Sequence, residues 1–259
     1  MSKTIDVGGK ALAGGKTPLI CTSLTARDEP SLLRELAAVR EKQPDLIEWR
    51  VDFFAGIGDI PRVVAMARDI RRHAGGLPLL FTRRSEREGG EATGLAEERI
   101  PALYDAVCAS HGVDFIDYEL RSDPAHFQAV RQAAHRVGVQ LLASFHDFRK
   151  TPSKAELVAT FAAMAEAGAD LAKIAVMPRT MDDVLTLLDA TLDADRRLPL
   201  PVIGIAMGAQ GVPSRLFGGA FGSALTFAAG ERASAPGQVP IDELRQVTAI
   251  LQRAMTARS

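Results

Sequence analysis

Residues 153–176 read SKAELVATFAAMAEAGADLAKIAV, and they hold one complete helix-to-strand unit. Ser153 stands three residues before Glu156, the reciprocal capping pattern that opens a helix. The helix runs to Ala167 and stops at Gly168, a residue suited to the turn that ends one. After Asp170, the run Leu171, Ala172, Lys173, Ile174, Ala175 and Val176 is apolar except for its lysine, which predicts a buried strand.

The unit repeats outward in both directions. Short apolar, β-branched runs occur at 18–24, 45–52, 78–84, 114–120, 139–145, 170–176, 201–207 and 222–227, most of them entered from a Pro, Asp or Gly. Their spacing of roughly 30 residues is that of a βα unit. Helical stripes fill the intervals: Leu32, Leu33, Leu36 and Val39 in 29–42, and Ile60, Val63, Val64, Ala67 and Ile70 in 59–73. Further helices are predicted from Thr180 to about residue 194 and over 241–255. No Pro/Ser-rich linker interrupts the series, so 1–259 reads as one domain. Eight strands alternating with helices over 259 residues predict a (β/α)8 TIM barrel. An open doubly wound sheet would place a glycine fingerprint after its first strand, where this chain has Ser23-Leu24-Thr25-Ala26-Arg27. The segment before Pro18, with Gly8-Gly9 and Gly14-Gly15, predicts an N-terminal β-hairpin closing the bottom of the barrel.

Composition narrows the function. Hydrophobic residues make up 47% and charged residues 24%, as in a globular protein with a full core. The 31 Lys and Arg nearly balance the 32 Asp and Glu, which argues against a nucleic-acid partner. Cys21 and Cys108 are far apart and form no CxxC, so neither a disulfide framework nor a cysteine metal site is expected. The most apolar uncharged stretch, 198–214, contains Pro199, Pro201, Gln210 and Pro213 and does not read as a membrane span. With no signal pattern at the N-terminus, a cytoplasmic location is expected. Gly15-Lys16-Thr17 suggests a phosphate loop, but the glycine required five residues earlier is Lys10, and Pro18 opens a strand rather than a helix.

The strands carry charges where a barrel interior is usually aliphatic. Glu48 and Arg50, Thr82 and Arg84, Asp117 and Glu119, and Ser144 and His146 are each two residues apart and so share a face. Charges gathered at strand C-terminal ends form an active-site mouth in this fold. Lys173 has two readings. Burial near arginines would disfavour its ammonium form and leave an amine able to attack a carbonyl. Alternatively its stem is buried and its head snorkels or pairs with Glu48 or Glu119. His146, at a strand end, can exchange protons near neutrality or merely cap a loop. Glu88, in the charged loop 84–90, can orient His146 or only solvate the loop. Arg50, Arg84 and Arg215 would form a carboxylate clamp. Ser234 and Gln238 lie in a small-residue loop after the last strand, a candidate lid or an ordinary mobile loop.

Six blocks, in order, extend this reading: Glu48-Trp49-Arg50-Val51-Asp52; Phe81-Thr82-Arg83-Arg84 with Glu88-Gly89-Gly90; Ser144-Phe145-His146-Asp147-Phe148 with Lys150-Thr151-Pro152; Lys173-Ile174-Ala175-Val176-Met177-Pro178; Ser214-Arg215; and Ala233-Ser234-Ala235-Pro236-Gly237-Gln238. Together the chain resembles the type I 3-dehydroquinate dehydratases, which are (β/α)8 barrels. The resemblance implies a lyase that converts 3-dehydroquinate to 3-dehydroshikimate with no metal or organic cofactor. Lys173 matches the Schiff-base lysine, His146 the base that becomes the acid, and Glu88 the partner of His146. Ser23, Glu48, Arg50, Arg84, Arg215, Ser234 and Gln238 match substrate-binding positions, Arg215 as the main carboxylate anchor. The resemblance also implies a homodimer. The chain departs from relatives at Phe145, at Ile205 and at Gly208-Ala209-Gln210, and Phe145 is expected to alter the hydrogen bonding around the base. A sugar-phosphate Schiff-base aldolase would want a phosphate-binding glycine loop after the seventh or eighth strand, where only Gly218-Gly219 offers one. A silent homologue would have lost Lys173 or His146.

Overall fold

A computed structural model describes residues 4–14, 17–230 and 233–256. Gly15, Lys16, Glu231 and Arg232, which take part in the hairpin, phosphate-loop and lid readings above, lie outside the described residues.

Eight parallel strands form the barrel: β3 (Leu19–Leu24), β4 (Leu46–Arg50), β5 (Leu79–Thr82), β6 (Phe115–Glu119), β7 (Gln140–Asp147), β8 (Leu171–Val176), β9 (Val202–Ala206) and β10 (Leu225–Ala228). They pair in the order β10-β3-β4-β5-β6-β7-β8-β9, and a parallel bridge from Val202 to Ser223 brings the two ends together. The helices α1 (Glu29–Glu41), α2 (Ile60–His73), α3 (Ile100–Ala109), α4 (Pro124–Arg136), α5 (Lys154–Glu166), α6 (Met181–Arg197), α7 (Val212–Phe217) and α8 (Ile241–Thr256) follow β3 to β10 in turn. The caps expected at Ser153 and Thr180 are both present as reciprocal capping boxes. Among the described residues no helix is long and apolar enough to cross a membrane.

The hairpin is β1 (Ile5–Val7) and β2 (Lys10–Leu12), joined by Gly8 and Gly9 at φ 58° and 81°. Two successive positive φ values give the turn whose twist matches antiparallel strands, and glycine adopts them without strain. Val7 and Leu12 pack with Leu19, Leu46, Leu80, Phe115, Leu142 and Leu171, the residues at or near the start of six barrel strands. The hairpin therefore closes the bottom of the barrel.

Alternation along each strand sorts the side chains. Ile47, Trp49, Phe81, Ile116, Tyr118 and Ile174 face outward into the layer beneath the helices. There Trp49, Phe81, Tyr104, Tyr118 and Phe127 form a chain of edge-to-face ring contacts. The inward residues change character with height. The bottom layer is Leu46, Leu80, Phe115, Leu142 and Leu171. Two residues higher on the same strands stand Glu48, Thr82, Asp117, Ser144 and Lys173, all buried. A change of register by one residue would exchange this polar set with the outer apolar layer, so the pattern fixes the strands.

Phe145 is on the outward face. It packs in the helix-facing layer, with the Arg121 guanidinium 4.2 Å over its ring, and lies on the opposite side of β7 from His146. The expected effect of Phe145 on the hydrogen bonding of His146 is therefore corrected: period-two alternation turns the two side chains apart.

Candidate active site

A cavity of about 110 Å³ opens at the strand C-terminal ends, and every candidate residue except Ser23 lines it. Ser23 stands just behind, donating to Glu48 Oε2 and accepting from Ser234 Oγ at 2.9 Å. A larger cavity, about 420 Å³, lies elsewhere, between the N-terminal segment and α7–α8, but no titratable side chain lines it.

Lys173 Nζ lies 3.3 Å from Asp117 Oδ2 and 4.4 Å over the Phe227 ring. Its carboxylate partner is thus Asp117, not Glu48 or Glu119: Asp117 stands at the same height two strands away, whereas Glu48 is taken by Ser23 and Thr82, and Glu119 by Arg84 and Ser85. Asp117 is fully buried, bonded also to Arg84 Nη2 at 2.7 Å and Ser144 Oγ at 2.6 Å. Burial alone would raise its pKa, but Arg84 and Lys173 outweigh burial and hold the carboxyl below its ordinary value. Burial likewise opposes the Arg84 charge, and Asp117, Glu119 and Glu88 reverse that effect.

His146 and Glu88 form the second pair. Glu88 Oε2 lies 2.9 Å from His146 Nδ1 and accepts the His146 backbone N–H at 3.0 Å. An oxygen already accepting the backbone donor assigns the ring proton to Nδ1, which leaves the Nε2 lone pair as the base. Burial, then the charges of Arg84, Lys173 and Arg50, hold the imidazole pKa well below its usual value, so it is neutral at pH 7. Burial and Glu119, against Arg84, push the Glu88 carboxyl up to about 8.

The two outer arginines differ. Arg50 is bound bidentately by Asp52, with Nε at 2.8 Å and Nη2 at 2.7 Å from its two oxygens, and rests 5.0 Å over the Phe53 ring. Among the described residues, the Arg215 side chain donates only to carbonyls, those of Phe227 at 3.3 Å and Pro236 at 2.9 Å. Its buried Nε has no hydrogen-bond partner among the described residues, and burial lowers its pKa to about 10. A buried cation without a carboxylate is poised for an anionic ligand.

The candidate lid is folded over the cavity. Ser234 N–H donates to Gln238 Oε1 at 2.8 Å, and Gln238 Nε2 donates to Ser234 Oγ at 3.0 Å. Pro236 O accepts from Gly208 N–H at 3.2 Å as well as from Arg215. At Gly237, φ is 76° and a Cβ would lie 2.2 Å from Gly208 O, so glycine is required on both counts.

Asp117, Asp52, Glu119 and Phe227 are among the residues the sequence reading left out of the site. Asp117 was visible as a same-face partner of Glu119, but its pairing with a lysine two strands away is not a sequence signal. Among the described residues, no group of three or more His, Cys, Asp or Glu is arranged to hold a metal ion.

A parallel eight-stranded barrel with lysine, histidine and an arginine set at its C-terminal mouth defines a class of barrel enzyme acting on a small anionic molecule. The type I 3-dehydroquinase family model matches residues 20–255. The 3-dehydroquinate dehydratase of Aromatoleum aromaticum is 55% identical over 255 residues, covering 98% of each chain. The crystal structure of 3-dehydroquinate dehydratase from Geobacillus kaustophilus superposes with a TM-score of 0.94 at 46% identity, covering 99% of this chain and 98% of that one. A type I 3-dehydroquinate dehydratase from Clostridium difficile, solved with covalently modified comenic acid, gives 0.93 at 38% identity, over 98% and 100% of the two chains. The chain belongs to the type I 3-dehydroquinase family. It is a hydro-lyase, and its reaction is the dehydration of 3-dehydroquinate.

Proposed function

We propose that the dehydration proceeds through an imine on Lys173, with His146 as base and then acid. The Lys173 amine adds to the C3 ketone, and the carbinolamine loses water to give an iminium. His146 Nε2 takes the C2 proton, and its electron pair flows into the iminium to form an enamine. The enamine expels the C1 hydroxyl, which takes a proton from His146 and leaves as water. Hydrolysis of the product iminium releases 3-dehydroshikimate and returns the amine. Over the cycle one water is lost from the substrate.

The observation that carries this reading is Lys173 itself, a buried amine lining a cavity that His146 also lines. Asp117 and Phe227 flank its Nζ and favour a cation there, which suits an iminium. Glu88 orients His146. Arg215 receives the substrate carboxylate, and Ser23, Glu48, Arg50, Arg84, Ser234 and Gln238 hold its remaining oxygens. The covalently modified ligand named for the Clostridium difficile relative supports a covalent site. On the family resemblance, the chain acts as one catalytic domain over 1–259, in a cytoplasmic homodimer.

Two variants separate the roles. Lys173→Ala is expected to form no imine. His146→Ala is expected to form the imine, seen as a mass increase with 3-dehydroquinate, and to stall before product. Normal turnover by His146→Ala overturns the base assignment.

A further inference from the structure

We infer that Asp52, which does not line the cavity, is a positioning residue that holds Arg50 and the Glu88 loop in one geometry. The inference rests on the roles proposed above for Glu88 and Arg50.

Asp52 stands in the turn after β4, and its side chain is fully buried. Its two oxygens accept four hydrogen bonds. Oδ1 takes Arg50 Nε at 2.8 Å and the Arg84 backbone N–H at 3.2 Å. Oδ2 takes Arg50 Nη2 at 2.7 Å and the Glu91 backbone N–H at 3.1 Å. Arg84 and Glu91 are the two ends of the segment that carries Glu88. Between them the chain folds back on itself, with Glu88 N–H and Gly90 N–H both donating to Ser85 O, at 3.0 and 2.8 Å. A Cβ at Gly90 would lie 2.0 Å from Arg84 O, so this neck is closed tightly enough to require glycine.

Asp52 thus pins both sides of the neck, and the loop beyond it presents Glu88 to His146. The same carboxylate fixes the Arg50 guanidinium by a planar bidentate contact, which leaves that cation little rotational freedom. Asparagine at this position keeps one acceptor oxygen. It places an NH2 against Arg50 and against either Arg84 N–H or Glu91 N–H, so two of the four bonds become donor-to-donor contacts.

The test is a double-mutant cycle on the full-length enzyme, with kcat, KM and pH profiles for Asp52→Asn, Glu88→Gln and the double variant. Asp52→Asn alone is expected to lower kcat about 10- to 100-fold, because Glu88 no longer holds His146 in line. It is also expected to raise KM through Arg50. In the Glu88→Gln background the same substitution should leave kcat within about twofold while the KM increase persists. Asp52→Glu, which restores the charge, should recover part of kcat. Equal kcat losses in both backgrounds overturn the inference, as does an Asp52→Asn enzyme with native kcat and KM. Failure of the underlying reading looks different: Glu88→Gln would then keep native kcat and pH profile by itself. Should Asp52→Asn not fold, replacing Glu91 by its α-hydroxy acid counterpart deletes one N–H and leaves Asp52 in place. That enzyme is expected to lose kcat with KM unchanged, and a native kcat contradicts the inference.

Discussion

Lys173 Nζ and Asp117 Oδ2 lie 3.3 Å apart inside the barrel, and the same carboxylate binds Arg84 Nη2 at 2.7 Å. One acid thus bridges two buried basic side chains. Removing one member of such a set leaves uncompensated charge, at a cost of about 3–5 kcal/mol. Asp117→Ala is therefore expected to lose about that much stability in urea unfolding. A loss below about 1 kcal/mol would show that the cluster relaxes without it.

The raised pKa of Glu88 makes activity depend on pH. Below about 8 an uncharged carboxyl faces His146 Nδ1, and above it a carboxylate does, which strengthens Nε2 as a base. The kcat/KM of the native enzyme is expected to rise with pH through this range, and Glu88→Gln should abolish that limb. An unchanged limb in the variant assigns the ionisation elsewhere. In stability the same shift has a definite sign. The folded-state pKa lies above the ordinary value of 4.5, so the contribution is full below pH 4.5 and is lost as pH rises through about 8.

Gly237 is the tightest point of the lid, where a Cβ would lie 2.2 Å from Gly208 O. Gly237→Ala should prevent the loop from seating, break the bonds to Pro236 O, and raise KM about tenfold or more. Faster amide exchange in 233–238 would accompany it. Native KM with native exchange would mean that the loop seats differently.

Phe145 faces the helices although its neighbour His146 faces the cavity. Phe145→Leu should lower stability by about 1–2 kcal/mol in urea unfolding and leave the pH profile of kcat/KM unshifted. A moved profile would tie Phe145 to the base.

The fold was legible because most strands begin with turn residues and place apolar side chains on their outward face. Helices α3, α4 and α7, over Ile100–Ala109, Pro124–Arg136 and Val212–Phe217, were not named from the sequence. α3 has no capping side chain, and its N-terminus follows a tight 3-10 turn over Glu97–Arg99, so the usual start signal is missing. The candidate site was legible as charges at strand ends, since alternation assigns Glu48, Arg50 and Lys173 to the interior. Partners were not, because pairing depends on which strands stand across the barrel from each other. That is how Lys173 met Asp117 instead of Glu48 or Glu119, and how Asp52, in a turn, came to bind both ends of the Glu88 loop.

The central claim is that Lys173 becomes covalently bound to substrate. Borohydride reduction of the native enzyme during turnover of 3-dehydroquinate, followed by intact mass and peptide mapping, tests it most directly. One ligand-sized increase, located on Lys173, is expected. A folded, active enzyme that gains no mass, or gains it on another residue, would contradict the account.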